Sequence, residues 1–146
     1  DNMMKGYWRL PQATAETLRG GYLHTGDLAT VDEEGYIYLL DRKKDAIISR
    51  GKSIFSSEVE EVLYRHPSVA EAAVIGVPEE KFGERIKAIV VMKEGAEVTG
   101  RDIIDFCSQS LPQHAVPSSV EFISNLPRNP LGKVLKRELR EKYCQG

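Results

Sequence analysis

DRKKDAIISRGKSIFSSEVE, residues 41–60, changes character three times. Asp41 to Asp45 is a run of charges with nothing to bury. Ala46–Ser49 and Ser53–Phe55 are short β-type runs flanking Arg50-Gly51-Lys52, a hairpin whose glycine can take the positive φ of a tight turn. Ser57-Glu58-Val59-Glu60 reads as a capping box, and Val59, Val62 and Leu63 form one face of a helix that His66-Pro67 ends. Two strands and a helix in immediate succession open a compact α+β stretch from about residue 42 onward.

Downstream, Ala72–Val77 and Ile86–Met92 are β-rich runs joined by the polar loop PEEKFGE, which predicts a strand pair. Thr99 and Asp102 open a second helix, with Ile103, Ile104, Phe106, Cys107 and Leu111 as its buried stripe and Pro112 as its stop. Val120–Ile123 is a short strand, and Val134–Tyr143 a last amphipathic helix after the loop SNLPRNPLGK. The order from residue 42 to 146 is β-β-α-β-β-α-β-α, an α+β domain with a mixed sheet flanked by about three helices. Upstream, residues 1–41 carry a helical patch, Ala13–Leu18, that Thr14 could cap and Gly20-Gly21 stops. A β-hairpin follows, Leu28–Val31 and Tyr36–Leu40 around Asp32-Glu33-Glu34-Gly35.

The 146 residues are 41% hydrophobic and 29% charged, enough for one ordinary core or a small domain plus part of another. A net charge of −2 without long like-charge runs argues against nucleic acid or an anionic membrane as partner. No apolar run spans a bilayer, and no leader is visible. Cys107 and Cys144 lie far apart, which points to reduced thiols in a cytoplasmic protein, and His24, His66 and His114 lack metal-ligand spacing. The opening Asp-Asn-Met-Met suggests a fragment.

Four stretches put polar residues where a turn exposes them: Thr25-Gly26-Asp27, Asp41 to Asp45, Ser49-Arg50-Gly51 and Pro130-Leu131-Gly132-Lys133. Singly, each has a bland explanation: an ordinary turn, a solvated linker, a hairpin tip, a surface lysine. Lys133 stands near a helix start, where the dipole disfavours a cation, and no carboxylate lies within four residues of it.

Taken together, GYWRLPQATAETLRGGYLHTGDL, DRKKDAIISRGKSIFSSEVE and PRNPLGKVLKREL resemble, in order and spacing, the C-terminal part of the adenylate-forming enzymes: acyl-CoA synthetases, aryl-CoA ligases, luciferases and adenylation domains. The resemblance covers essentially the whole chain. It implies that residues 1–41 end a large N-terminal domain, absent here, and that residues 42–146 form a small mobile domain turning about a hinge at Lys44. It implies ATP with Mg2+, a carboxylic acid and CoA as reactants, with the metal held by phosphates and the large domain rather than by residues of this chain.

By the same resemblance Thr25, Asp27 and Arg42 bind the nucleotide. A carboxylate suits a ribose diol, and a guanidinium fork suits an oxygen-rich ligand. Lys133 is implied as the catalytic cation between the attacking carboxylate and the α-phosphate. Arg50 is implied in the second half-reaction, and Gly51 and Lys52 in binding CoA, with Lys81 and Arg85 as further candidates for its phosphates. Ser56 stands where many relatives carry proline, and Leu131 where a small polar residue is usual. The leading reading is a fragment of an acid:CoA ligase, inactive in adenylation by itself, for which a homodimer is allowed. The rivals are an adenylation domain loading a carrier protein, a luciferase-like oxidation, and a non-catalytic interaction module.

Overall fold

The computed structural model describes residues 2–81 and 83–144, and the chain divides into two compact units, Asp1–Lys44 and Asp45–Gly146.

In the first unit, helix α1 (Pro11–Thr17) starts with proline, whose missing N–H costs nothing in a first turn. Thr14 does not cap it. Its hydroxyl lies inside the helix, donates to the Leu10 carbonyl at 2.8 Å and accepts from the Tyr7 N–H at 2.9 Å. Strands β1 (Asp27–Val31) and β2 (Ile37–Arg42) form the expected antiparallel hairpin, longer than the apolar runs alone suggest. One carboxylate organises its turn: Asp32 accepts from the Glu34 and Tyr36 N–H groups and from the Tyr38 hydroxyl. Those bonds, the Tyr38 hydroxyl first, hold its pKa below the usual carboxylate range. None of the described residues of this unit is buried; Val31, Tyr36, Ile37, Tyr38 and Leu39 are all exposed.

The second unit holds the core. Strands β3 (Ile47–Ser49) and β4 (Lys52–Ile54) form a hairpin, and β5 (Val69–Glu79) pairs antiparallel with β6 (Gly83–Met92). Strand β7 (Ser119–Phe122) lies parallel to β6 along Lys87–Val90, while β3 meets β6 only at Ser49 and Gly83. The result is a five-stranded mixed sheet with β6 in its middle.

Alternation assigns the two faces. Ala72, Val74, Ile86, Ala88 and Val90 pack with Val59, Val62 and Leu63 of α2 (Ser56–Tyr64) and Ile103 and Cys107 of α3 (Gly100–Ser108). Ala73, Ile75, Val77 and Ile89 face the other way, onto Leu126 and onto Leu139 of α4 (Lys136–Tyr143). The uninterrupted run Ala72–Val77 is thus covered on both sides.

Several boundaries differ from the sequence reading, and α3 ends at Ser108, so that Leu111 packs against the core from beyond the helix and Pro112 is not its stop. The expected loop PEEKFGE is mostly strand, because pairing continues to Glu79 opposite Gly83, and Pro78 is tolerated on an edge strand. Helix α2 starts at Ser56 with Phe55 as its N-cap and no side-chain cap, while Glu60 reaches across instead to the Val74 N–H at 2.8 Å and to Lys136 at 2.6 Å. With the Tyr64 hydroxyl donating to the Ala72 carbonyl at 3.2 Å, α2 clothes the outer edge of β5. The last helix begins at Lys136 rather than Val134, because Val134 bridges to Arg128. By contrast, Thr99 and Asp102 form a complete capping box on α3.

Candidate functional site

Residues 25–27 and 41–44 converge at the end of the first hairpin. The β1–β2 register sets Asp27 opposite Arg42, and the two side chains pair at 2.8 Å. Gly26, at φ 76°, turns the chain so that its carbonyl accepts from the Lys43 N–H at 2.8 Å, and the Thr25 hydroxyl accepts from the Asp27 N–H at 3.2 Å. An open cleft of about 520 Å3 is lined by Thr25, Gly26, Arg42, Lys43 and Lys44. A carboxylate and a guanidinium side by side offer acceptor and donors to one polyhydroxyl ligand.

Arg50, Gly51 and Lys52 sit on the β3–β4 hairpin. Ser49 pairs with Lys52, so the loop is two residues, and both lie at positive φ, 52° for Arg50 and 73° for Gly51. Such a turn matches the twist of its strands. The left-handed arginine was not foreseen. Glu84 supports this hairpin by accepting the Ile48 N–H at 2.7 Å, and it lies flat over Gly76, where a Cβ would come within 2.5 Å of its carboxylate. Beside the hairpin, Arg50, Arg85, Gln113, His114 and Ser118 help line a polar cleft of about 200 Å3. Lys52 is exposed at the start of β4, and Lys81 lies at the β5–β6 tip.

Lys133 lies in a tight loop between Arg128 and Val134. The Asn129 side-chain oxygen accepts from the Leu131 N–H at 3.0 Å and the Lys133 N–H at 2.9 Å, and the Asn129 N–H donates to the Lys133 carbonyl at 2.9 Å. Arg128 donates to the Gly132 carbonyl at 2.5 Å and pairs with Glu71 of β5 at 2.7 Å. Leu131 is 85% exposed, so its apolar side chain does not repack the loop. The Lys133 side chain is exposed and its ammonium makes no hydrogen bond or ion pair among the described residues. The sequence reading missed Glu71, Glu84 and Asn129, although Asn129-Pro130 is itself a turn signal. Ser56 is buried and accepts from the Lys136 ammonium at 2.7 Å, anchoring α4 just past the loop.

The hairpin and the lysine loop stand apart. Ser49 meets β6 where Gly83 faces Glu79 of β5, whereas the lysine loop is tied to Glu71. Eight residues of strand, roughly 26 Å, separate those points. Among the described residues no group of three or more His, Cys, Asp or Glu side chains is arranged to hold a metal. No helix among them is long and apolar enough to cross a membrane.

The chain is 48% identical over 97% of its length to a feruloyl-CoA synthase of Amycolatopsis sp, and 47% identical over 96% to the fatty acid–acyl-carrier-protein ligase ScoC of Streptomyces coeruleorubidus. It spans 29% and 27% of those proteins, little more than a quarter. The crystal structure of ATP-bound MatB from Rhodopseudomonas palustris matches with a TM-score of 0.91 at 40% identity, over 99% of this chain and 29% of that one. The o-succinylbenzoate CoA synthetase MenE of Bacillus subtilis, in complex with its acyl-adenylate, matches with 0.88 at 38%, over 95% and 28%. The family profile described as AMP-binding enzyme C-terminal domain matches residues 58–133, from α2 to the lysine of the last loop, and the chain belongs to that family.

Proposed function

We propose that this chain is the C-terminal part of an ATP-dependent carboxylic acid:CoA ligase, in which residues 1–41 complete a large catalytic domain and the remainder turns about Lys44. The observation that carries this reading is the placement of Lys133 and the Arg50–Gly51 hairpin at opposite ends of the β5–β6 ribbon. One reaction centre can meet only one of them at a time. A two-step reaction that needs each in turn fits a domain that reorients.

In the first step a carboxylate oxygen attacks the α-phosphorus of ATP, the bond to pyrophosphate breaks, and an acyl-adenylate results. Two anions must approach each other. Lys133, an exposed ammonium on a stiff loop, is suited to lie between them. Its attraction for a unit charge at 4 Å is about 1 kcal/mol in water and about 4 kcal/mol at an effective dielectric of 20, so it works best where water is excluded. Asp27 and Arg42 hold the ribose.

In the second step the CoA sulfur attacks the acyl carbonyl, its thiol proton leaves, and AMP departs with the bonding electrons. Gly51, with open space where a Cβ would stand, admits a narrow pantetheine arm, and Arg50 and Lys52 face its polar groups. Cys107 and Cys144, both free thiols, fit a reducing cytoplasm.

The test is ATP–pyrophosphate exchange by the intact ligase over a panel of carboxylic acids. Exchange with at least one acid is expected, falling by at least roughly 10²–10³ in the Lys133→Met variant. Undiminished exchange in that variant overturns the reading. The similarity to ScoC, by name an acyl-carrier-protein ligase, supports a second reading in which a phosphopantetheinylated carrier takes the place of CoA. Product analysis with each acceptor separates the two.

A further inference from the structure

We propose that Arg128, Asn129 and Glu71 form a positioning unit that fixes the direction in which Lys133 leaves its loop. The inference rests on the reading of Lys133 as the adenylation cation and adds how the cation is aimed.

Lys133 has four rotatable side-chain bonds, so its ammonium is no better placed than the backbone that carries it. That backbone is held on both sides by one residue, since Asn129 accepts its N–H and donates to its carbonyl. The peptide that enters Lys133 is thus held at both of its polar atoms, its N–H by Asn129 and its carbonyl, that of Gly132, by Arg128. Arg128 is in turn fixed to Glu71, so the loop is referred to the sheet rather than left to its own turn. Gly132, at φ 82°, permits the left-handed step that leads into this doubly held peptide.

The Arg128 and Glu71 side chains are 39% and 38% exposed, and an exposed pair contributes little to stability. Their geometry serves placement. A misplacement of about 1 Å at a reacting centre costs on the order of 10²-fold in rate. Only the first half-reaction uses Lys133, so loss of the clamp must spare the second.

The experiment uses the intact ligase and three readouts: pyrophosphate exchange, thioester formation from supplied acyl-adenylate and CoA, and the melting temperature. Asn129→Ala and Glu71→Gln should each lower exchange about tenfold or more and leave the other two within error. Asn129→Asp, which keeps an acceptor oxygen in place, should recover exchange to within a few fold. Lys133→Met runs in parallel. If it abolishes exchange while Asn129→Ala and Glu71→Gln stay within twofold of wild type, the positioning role is wrong and the functional reading stands. If both half-reactions and the melting temperature fall together in Asn129→Ala, the role is merely structural and the proposal is overturned. Full exchange in Lys133→Met would remove the functional reading and the inference with it.

Discussion

The thiol of Cys107, on the buried face of α3, belongs to the core shared by that helix, α2 and one face of the sheet, and the loss of water around it pushes its pKa up to about 11. A thiol is reactive as thiolate, so at pH 8 a disulfide reagent should leave Cys107 unlabelled in the native protein and label it at once in denaturant. Cys144, half-buried at the end of α4, is also raised, by burial first, and should label slowly without denaturant. Prompt native labelling of both would contradict the packing. A raised pKa favours the folded state below the unfolded value near 9, and this advantage is lost as the pH climbs towards about 11. The same scale shows what the sequence conceals. That Lys133 is exposed in a shaped loop could be read from its prolines and glycine, but its tether to Glu71 joins positions 57 residues apart and has no local signature.

Among the elements, two S/T-x-x-D/E patterns met different fates. Thr99 and Asp102 cap α3, each side chain accepting from the other's backbone N–H, and Thr99→Ala should cost about 1 kcal/mol of stability, read as a lower urea midpoint. Glu60 takes a strand N–H and the Lys136 ammonium, and α2 begins one residue before Ser57, with Phe55 as its N-cap. Hairpins and helices with strong periodicity were legible in this way, whereas the reach of β5 and β6 past PEEKFGE depended on cross-strand register. Gly76 shows how close that register brings side chains. In Gly76→Val the new Cβ would displace the Glu84 carboxylate and free the Ile48 N–H. We expect a loss of about 1–3 kcal/mol, with amide exchange at Ile48 rising more than at Val74. Equal protection at both would show that Glu84 does not hold the hairpin.

For the whole molecule, the contrast between the two units is one of burial. Residues 45–146 contain all the buried hydrophobic side chains among the described residues, on both faces of a five-stranded sheet. Expressed alone, they should melt cooperatively and give a dispersed amide spectrum. Residues 1–44, with no buried side chain among those described, should not fold alone. A non-cooperative melt of 45–146 would refute this division. The charge run Asp41–Asp45 announced a change of regime in the sequence, but the placement of Lys133 and Arg50 at opposite ends required the strand pairing, which no single stretch specifies. One further property follows from the way α2 dresses the flank of β5. Two of that strand's outward backbone groups, the Val74 N–H and the Ala72 carbonyl, are already engaged by Glu60 and Tyr64. A neighbouring chain seeking a free rung on which to stack would find those rungs occupied, so the domain carries its own guard against fibril growth from that side.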